Sequence, residues 1–374
     1  MIEYALPKGK EPYGKSEHMD QDTLEPRLTS LSHGGGCGCK IAPAVLSDLL
    51  ARARGSSPLP IPEQLLVGIE TSDDAAVWKL DDTHAIVATT DFFMPIVDDP
   101  YDFGRIAATN ALSDIYAMGA KPLFALALVG MPISVLSAAT IARILEGGQA
   151  VCAAAGIPIA GGHTIDSVEP IYGLVAIGIA RPDAVLSNRG ARAGDAIVLG
   201  KPLGVGIYSA RLKKAGLATA DYRDLIDATT QLNVVGSALS TVGGVHALTD
   251  VTGFGLIGHL LEMCRGAKLD ASLALGRIPF LRNARRFALD GNVTGASHRN
   301  LASYGDDVVI AGRHDAVERL LLSDPQTSGG LLVAVAPEAV DDVLARFEGA
   351  GFGEAAVIGH FAPGDASRPR VLVD

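Results

Sequence analysis

Patterns typical of strands and of helices alternate in both halves of this chain, and this order most restricts the possible fold. Residues 102–120 form an amphipathic helical pattern that ends at Gly119, with apolar stretches typical of strands before and after it. A segment at 181–195 interrupts the order, because it is rich in Arg, Asp, Gly and Pro. We therefore predict two domains of α/β or α+β class, one on each side of this segment.

The interruption divides the chain into three predicted regions. Residues 1–40 are expected to form a mobile polar tail and a glycine-rich loop, residues 41–181 the first domain, and residues 182–374 the second. With 374 residues, of which 48% are hydrophobic, the chain can form two large cores. The tail is charged and lacks the apolar stretch that a signal peptide contains.

Net charge and cysteine content argue against several functional classes. The formal net charge of −11 disfavours a general binder of nucleic acid or of membrane surfaces, since both need basic residues. The four cysteines do not form a disulfide framework, and Cys152 and Cys264 lie in apolar helical patterns typical of a core. We therefore expect a reducing, cytoplasmic location.

The stretch SHGGGCGCK, residues 32–40, places two cysteines and a lysine among glycines. Glycine at this density disfavours a regular element and allows a mobile loop. Three interpretations are open: a zinc site that uses Cys37, Cys39 and His33, a structural loop with incidental thiols, or a reactive thiol on a loop that closes over a ligand. We favour the third, because Lys40 would stabilise a thiolate and neutralise a transferred phosphoryl group.

Several aspartates lie where predicted strands end or along one helix face. Asp is a hard oxygen ligand, and converging carboxylates repel one another unless a cation such as Mg²⁺ neutralises them. Asn110 and Asp114 are four residues apart and therefore share a helix face. Each aspartate could also be an ordinary turn or cap residue. The remaining candidates are Asp73, Asp74, Asp91 and Asp250.

Two glycine-containing segments could bind phosphate through backbone N–H groups. They are AGGHTID at 160–166 and TSGG at 327–330. His163 in the first segment could donate to a phosphate or cap a turn. Neither segment matches the GxxxxGK[ST] pattern of a P-loop, and each could equally be a turn that connects strands.

Seven blocks of the sequence resemble, in the same order, those of the selenophosphate synthetase (selenide, water dikinase) family. The resemblance runs from about Leu28 to the C-terminus, so it covers nearly everything except the tail. The blocks are SHGGGCGCKI, LLVGIETSDDAAV, TTDFFMPIVDDPYDFGRIAATNALSDIYAMGAKP, AGGHTID, TDVTGFGLIGHL, RNLASYG and DPQTSGGLL. The chain is also similar to the wider ATP-binding group that contains aminoimidazole ribonucleotide synthetase.

This resemblance implies a reaction and an architecture. ATP, selenide and water would yield selenophosphate, orthophosphate and AMP, with Mg²⁺ as cofactor and K⁺ as a second ion. The fold would be aminoimidazole ribonucleotide synthetase-like, with two α/β domains and an intersubunit β-barrel built from the N-terminal halves of a homodimer. The product would serve selenocysteine or selenouridine synthesis, and a selenium-delivery protein is a further expected partner.

The resemblance also implies roles for individual residues. Cys37 matches the catalytic cysteine and Lys40 the essential lysine, which also contacts the nucleotide. The Mg²⁺ ligands would be Asp74, Asp114 and Asp250. The other nucleotide contacts would be Thr71, Ser72, Asp73, Asp91 and Asp114, while Gly162, His163 and Thr164 would reach the ATP of the partner subunit. Hydroselenide is already an anion and needs no general base, so we expect residues 28–40 to close over the site and exclude water.

Two positions depart from the family pattern. Gly35 replaces a common Ala, which should loosen the loop, and His298 replaces an acidic or lysine side chain.

Two rival functions remain open. One rival is another enzyme of the same ATP-binding group, such as a ribonucleotide ligase or a thiamine-phosphate kinase, which is not expected to carry the GCGCK loop. The other is a non-catalytic thiol or metal carrier, which would leave the aspartate blocks unexplained.

Overall fold

A computed structural model describes most of the chain. The described residues are 25–41, 45–46, 48–49, 52, 61–68, 73–311 and 316–374. The helix predicted over 42–53 lies mostly outside them, as do residues 1–24 of the predicted tail.

The first domain is built on a six-stranded sheet in the order β1-β2-β3-β6-β4-β5. Neighbouring strands are antiparallel except β4 and β5, which are parallel. The strands predicted around the turn at 81–84 are confirmed as β2 and β3. The strands are β1 Leu65–Val67, β2 Ala76–Lys79, β3 Ala85–Phe93, β4 Lys121–Met131, β5 Ile159–Asp166 and β6 Ile171–Ala180.

Two helices, α1 (Pro100–Ala117) and α2 (Ala138–Ala154), pack on one face of this sheet. The predicted helix over 102–120 is confirmed as α1, which begins after Asp99, whose side chain accepts a hydrogen bond from the N–H of Asp102. Most of α1 is buried, because the second domain covers the side that the sheet leaves free. Its buried polar residues therefore lie between the domains.

Among the described residues, no helix packs on the other face of the sheet, and β5 forms one of its two edges. Nearly every residue of β5 is exposed, although the strand is mostly apolar or small. The sequence pattern at 157–164 predicts a short strand, which is confirmed as β5; the alternative of a connecting turn at 160–166 is wrong, because these residues pair with β4, with a register shift at Ala125–Leu126. Strand β4, which the sequence predicts to be fully buried, is instead exposed at Lys121 and Leu123 and half-buried at Phe124 and at residues 126–128.

The second domain contains a seven-stranded sheet in the order β10-β13-β9-β12-β7-β11-β8. Apolar clusters cover both of its faces, so strand β11, which lies between β7 and β8, is buried along its whole length. The strands are β7 Ala196–Leu199, β8 Val245–Asp250, β9 Asp270–Leu273, β10 Val308–Ile310, β11 Leu331–Val335, β12 Ala356–Ala362 and β13 Val371–Val373.

Helices of the second domain surround this sheet and reach back to α1. They are α3 Val205–Ala215, α4 Thr219–Thr230, α5 Val235–Leu239, α6 Gly255–Ala267, α7 Ala284–Leu289, α8 Gly295–Tyr304, α9 Ala316–Leu322 and α10 Val340–Gly349. Within the described part of the chain, none of the helices combines the length and the apolar character that a bilayer crossing requires.

Candidate functional site

The glycine-rich loop lies between the two domains. Residues Gly36–Cys39 form one turn of 3-10 helix, so the expectation of a loop without regular structure is wrong at this point. The N–H of Gly36 donates to the carbonyl of Met94 at 2.9 Å. Gly36 has φ +56°, and a Cβ there would lie 2.3 Å from Thr327 Oγ1, so this docked position requires glycine.

Cys37 is buried at the centre of this contact, with 2% of its surface exposed. Its backbone N–H donates to Thr327 Oγ1 at 3.2 Å, and its Sγ donates to Asn110 Oδ1 at 3.2 Å. Asn110 lies on α1, and its Oδ1 also accepts from the N–H of Ser328 at 2.7 Å. Three segments that are distant in the sequence therefore fix the position of the Cys37 thiol.

Asp91 on β3 connects this thiol to Lys40. The Nζ of Lys40 lies 3.7 Å from Asp91 Oδ2, and Asn110 Nδ2 donates to the same carboxylate oxygen. Asp91, followed by Asp114 and Asp250 among the carboxylates, raises the pKa of Lys40 above its ordinary value, so the ammonium stays charged. Lys40 thus brings a permanent positive charge to the carboxylate side of the loop.

The electrostatics at Cys37 differ from the prediction. Burial, followed by the charge of Asp91, raises the pKa of the Cys37 thiol well above its ordinary value. Lys40 lowers this pKa, as predicted, but its effect is outweighed. In this arrangement the group is a protonated thiol that donates to Asn110, so the expected thiolate is wrong for the protein without ligands.

Three carboxylates that were predicted to bind metal converge from both domains. Asp74 Oδ1 accepts from Thr249 Oγ1 at 2.9 Å, and Asp114 Oδ2 accepts from Thr89 Oγ1 at 2.5 Å. Asp250, at the end of β8, accepts from Ser113 of α1. A single hydroxyl partner for each leaves most of their acceptor capacity for another ligand.

Burial and mutual repulsion dominate the titration of this cluster. Burial comes first among the causes that raise the pKa of Asp74, Asp114 and Asp250, and Asp250 then raises the pKa of the other two. The Oδ2 atom of Asp74 is buried and has no hydrogen-bond partner within the structure. Such a cluster is costly by itself, and a cation would relieve the cost.

The carboxylates are nevertheless too far apart to form a complete metal site alone. Among the described residues, no group of three or more His, Cys, Asp or Glu side chains is close enough to hold a metal ion. A cation here would therefore draw one or two ligands from the protein and the others from water or from a bound phosphate, as Mg²⁺ commonly does.

The remaining predicted nucleotide contacts are not all assembled in one chain. Thr71 and Ser72 lie outside the described residues. Asp73 is buried and accepts from the N–H of Asn188 at 2.8 Å, which ties it to the segment between the domains.

Gly162, His163 and Thr164 lie on the exposed edge strand β5, three strands away from β3. At the usual strand spacing this is about 14 Å, so these residues are not brought to Asp91 of the same chain.

The role of the DPQTSGG segment was not predicted from the sequence. Asp324 Oδ2 accepts from the N–H groups of Gly206 and Ile207, and Gln326 Oε1 accepts from those of Gly204 and Val205. Two side chains thus satisfy the N–H groups at the start of α3. The segment is buried, leads into β11 and positions the loop and α3, which fits the alternative of a connecting turn.

Lys201 is a second residue that was missed. It is 1% exposed, and its Nζ donates to the carbonyls of Gln231 at 2.7 Å and Ser328 at 2.8 Å. Burial lowers the pKa of Lys201 to about 7. Its signal in the sequence is a lysine two residues after the end of the apolar strand β7, where a charged side chain is unusual.

The GxGxxG spacing of the glycines at 253–258, which follow β8 and extend into the first turn of α6, was also overlooked. Here they serve close packing, because a Cβ at Gly253 would lie 2.5 Å from the carbonyl oxygen of Cys37. Gly255 has φ +69° at the start of α6. The spacing therefore permits the close approach of the Cys37 loop in this structure.

Comparison with known proteins identifies both domains. Residues 72–180 match the family model described as AIR synthase related protein, N-terminal domain. Residues 192–371 match the corresponding C-terminal domain model.

Solved structures with the same fold include a thiamine-monophosphate kinase from Stenotrophomonas maltophilia K279a. It has a TM-score of 0.60 at 21% identity, over 90% of this chain and 96% of that chain. The hydrogenase maturation protein HypE in complex with ATP has a TM-score of 0.58 at 20% identity, over 93% and 95% of the two chains. At these identities the likeness shows the fold alone.

Much more similar sequences are named selenide, water dikinase. That of Burkholderia ambifaria is 65% identical over 339 residues, which cover 91% of this chain and 95% of the relative. That of Rhizobium meliloti is 58% identical over 345 residues, which cover 92% and 98%. With Cys37, Lys40 and the converging aspartates in place between two AIR synthase-related domains, the chain belongs to the selenide, water dikinase family.

Proposed function

We propose that the dikinase reaction of this chain takes place at the cleft between the domains, where Cys37, Lys40 and the aspartates meet. ATP, selenide and water are converted there to selenophosphate, orthophosphate and AMP. The observation that carries this assignment is the contact of Lys40 with Asp91 beside the buried Cys37 thiol. It joins a soft sulfur atom, a fixed cation and hard carboxylate ligands within one site.

Each group has a role that follows from its surroundings. Lys40 binds phosphate oxygens and stabilises the charge that develops during transfer. Asn110 holds the Cys37 thiol on the carboxylate side of the loop through its Oδ1. Cys37 orients the selenium atom toward the phosphate by soft chalcogen contact. The docked loop covers the site and excludes bulk water.

Asp74, Asp114 and Asp250 are proposed to hold Mg²⁺ ions, each ion taking one or two of these carboxylates and otherwise the phosphates of ATP and water. Their oxygen donors, their mutual repulsion and the unpartnered Oδ2 of Asp74 fit a hard divalent cation. When bound, Mg²⁺ would neutralise and align the phosphates. Asp73 and Asp91, with Thr71 and Ser72 by resemblance, are proposed to contact the nucleotide. From the family resemblance, we also propose that the enzyme depends on K⁺ and receives selenium from a delivery protein. Its product would be used to make selenocysteine or selenouridine.

The enzyme is proposed to act as a homodimer that covers the free face of the first sheet. Trp78, Phe92 and Ile165 on that face are 42%, 51% and 56% exposed. Strand β5 adds an exposed edge, which proteins normally protect. A second copy there would bring its Gly162, His163 and Thr164 toward the ATP of the first.

We expect Ile165→Asp to convert the dimer to monomer, because a carboxylate on that face would be buried without a partner. Sedimentation velocity would measure the change, and Trp78, the chain's single tryptophan, should shift its emission to longer wavelength. The matched control is Leu289→Asp, which alters a residue of the second domain that is 60% exposed. A dimeric Ile165→Asp protein would contradict this interface.

Phosphorus NMR of an anaerobic mixture of protein, ATP, Mg²⁺ and selenide tests the reaction itself. We expect a selenium-coupled phosphorus signal together with AMP and orthophosphate, and neither in the absence of selenide. ADP as the sole nucleotide product, or no effect of selenide, would reject the proposed reaction for this chain.

A further inference from the structure

A cavity of about 630 Å³ lies on the side of the glycine-rich loop that faces away from the aspartates. Its walls are the loop itself and parts of α3 and α8, and Ala210, Lys213 and Arg299 are among its lining residues. The roles proposed above do not use this space. Its volume can hold a small ion together with several water molecules, each of which occupies about 30 Å³ in the liquid.

The charge of this cavity is opposite to that of the chain. Among the described residues that line it, four are basic and none is Asp or Glu, although the whole chain carries a formal charge of −11. The basic residues are His33, Lys40, Lys213 and Arg299. A basic compartment on an acidic protein attracts small anions that the remaining surface repels.

Two of these cations are available to a ligand. His33 is paired with Glu169 at 3.0 Å, and Lys40 points to Asp91. Lys213 Nζ donates to the carbonyl of Ser32 at 2.9 Å, which leaves two of its N–H groups for a ligand.

Arg299 Nη2 donates to the carbonyl of Gly38 at 2.9 Å. Within the described residues neither Lys213 nor Arg299 forms an ion pair with a carboxylate. The two side chains are thus held at the cavity by neutral carbonyl groups and keep their full charge for an anion.

The loop separates two compartments of opposite charge. On one side, the Cys37 thiol and the Lys40 ammonium face Asn110 and Asp91. On the other side, the Sγ of Cys39 accepts a hydrogen bond from the N–H of Gly35; burial raises the pKa of this thiol above its ordinary value, while the nearby charges of Arg299 and Lys213 oppose the rise and that of Glu169 adds to it. The loop contributes Gly38 and Cys39 to the cavity and Cys37 to the other side, so its backbone lies between the two groups of side chains.

We propose that this cavity binds the second substrate as a hydroselenide anion, with Lys213 and Arg299 as its cationic partners, on the side of the loop opposite to the nucleotide. Hydroselenide and the phosphates of ATP are both negative, and the aspartates add further negative charge on the nucleotide side. Entry through a separate basic compartment avoids that repulsion. This proposal rests on the proposed function, because selenide must be a substrate.

The sharpest test places a carboxylate in the cavity without removing any contact of the loop. Ala210→Asp adds a negative charge one turn before Lys213 on α3, and Ala210→Asn adds nearly the same volume without the charge. We expect Ala210→Asp to raise the KM for selenide by roughly tenfold relative to Ala210→Asn, with the KM for ATP unchanged. Added salt should reduce the difference.

A second pair of variants removes a charge. Lys213→Gln should raise the KM for selenide by roughly three- to tenfold and weaken retention of selenide in anaerobic equilibrium dialysis without ATP. The neighbouring Lys214→Gln, which alters a residue outside the cavity, should change neither value. If Lys213→Gln acted only by loosening the loop, Lys213→Gln and Ala210→Asp would not share the same selective effect on selenide.

Two failures are distinguishable. If the wild-type protein forms AMP and selenophosphate but Ala210→Asp and Ala210→Asn have the same KM for selenide, the cavity is not the selenide site and the proposal is overturned. If the wild-type protein shows no selenide-dependent AMP formation, the proposed function fails before the cavity is tested. Equal changes in the KM for ATP and for selenide would also overturn the proposal.

Discussion

Asp114→Asn should stabilise the ligand-free protein while it abolishes turnover. Burial and the charges of Asp250 and Asp91 raise the pKa of Asp114, so its ionised form is costly in the folded state. Asn keeps an acceptor for the hydroxyl of Thr89 and removes the repulsion. We expect a gain of about 1 to 2 kcal/mol in the free energy of unfolding near pH 7. Turnover should fall by at least about 10³-fold, since a ligand for the phosphate-bound cation is lost.

The stability gain should depend on pH in a defined direction. A carboxyl group with a raised folded-state pKa costs nothing below its unfolded pKa of about 4, where it is protonated in both states. The cost grows as the pH rises toward the folded-state pKa. Asp114→Asn and wild type should therefore have similar melting temperatures near pH 4 and diverge as the pH increases.

Thermal unfolding with and without Mg²⁺ and a non-hydrolysable ATP analogue measures both effects. The wild-type protein should gain stability when the ligands are added, and Asp114→Asn should gain little. Asp82→Asn is the matched control, because Asp82 has a side chain that is 94% exposed and pairs only with Lys79 nearby. Destabilisation by Asp114→Asn, or an unchanged response to the ligands, would argue against Asp114 as a metal ligand.

Local sequence patterns predicted the elements that depend on local interactions. The antiparallel pair β2–β3 and helix α1 were found because alternation and the 3.6-residue period survive in the sequence. Strand β4 was expected to be buried on both faces because its residues are nearly all apolar. Its exposure arises because none of the described helices lies on that side of the sheet, and no local pattern encodes this arrangement.

The sequence predicted which residues form the site, but it did not predict how they contact one another. The family resemblance named Cys37 and Lys40, but spacing could not reveal that Cys37 contacts Thr327, which is 290 residues away. The pKa of the Cys37 thiol is raised by that burial, so Lys40 lowers this pKa as predicted but does not set the direction of the net shift. The burial of Lys201 could not be predicted from local patterns either, because its two carbonyl partners come from different segments of the chain.

The glycines of the loops between the domains have a different role from the one predicted from the sequence. In the DPQTSGG and Cys37 segments, the glycines allow backbones to approach each other, as at Gly36 beside Thr327. The glycine-rich residues 32–40 were predicted to be mobile, whereas in this structure they are docked between the two domains. Mobility and close packing require the same residue, so sequence alone does not distinguish them.

Cys37→Ser should abolish selenide-dependent turnover and leave nucleotide binding nearly intact. A serine hydroxyl can replace the hydrogen bond from the thiol to Asn110 Oδ1, so the loop should remain docked. It cannot replace the soft, polarisable sulfur that contacts selenium, and its oxygen is a far weaker nucleophile near neutral pH. We expect kcat to fall by at least about 10³-fold while the Kd for ATP changes by less than about threefold.

The same substitution at Cys39 is the matched control, because it changes one sulfur to oxygen two residues away in the same loop. The Sγ of Cys39 accepts from Gly35, which an oxygen can also do, so most activity should remain. Anaerobic AMP formation and calorimetric titration with ATP and Mg²⁺ would measure the two quantities. If Cys37→Ser retained turnover, the buried thiol would serve only to dock the loop. If it lost ATP binding instead, the thiol would be needed to assemble the nucleotide site, and Asn110 would be the residue through which it acts.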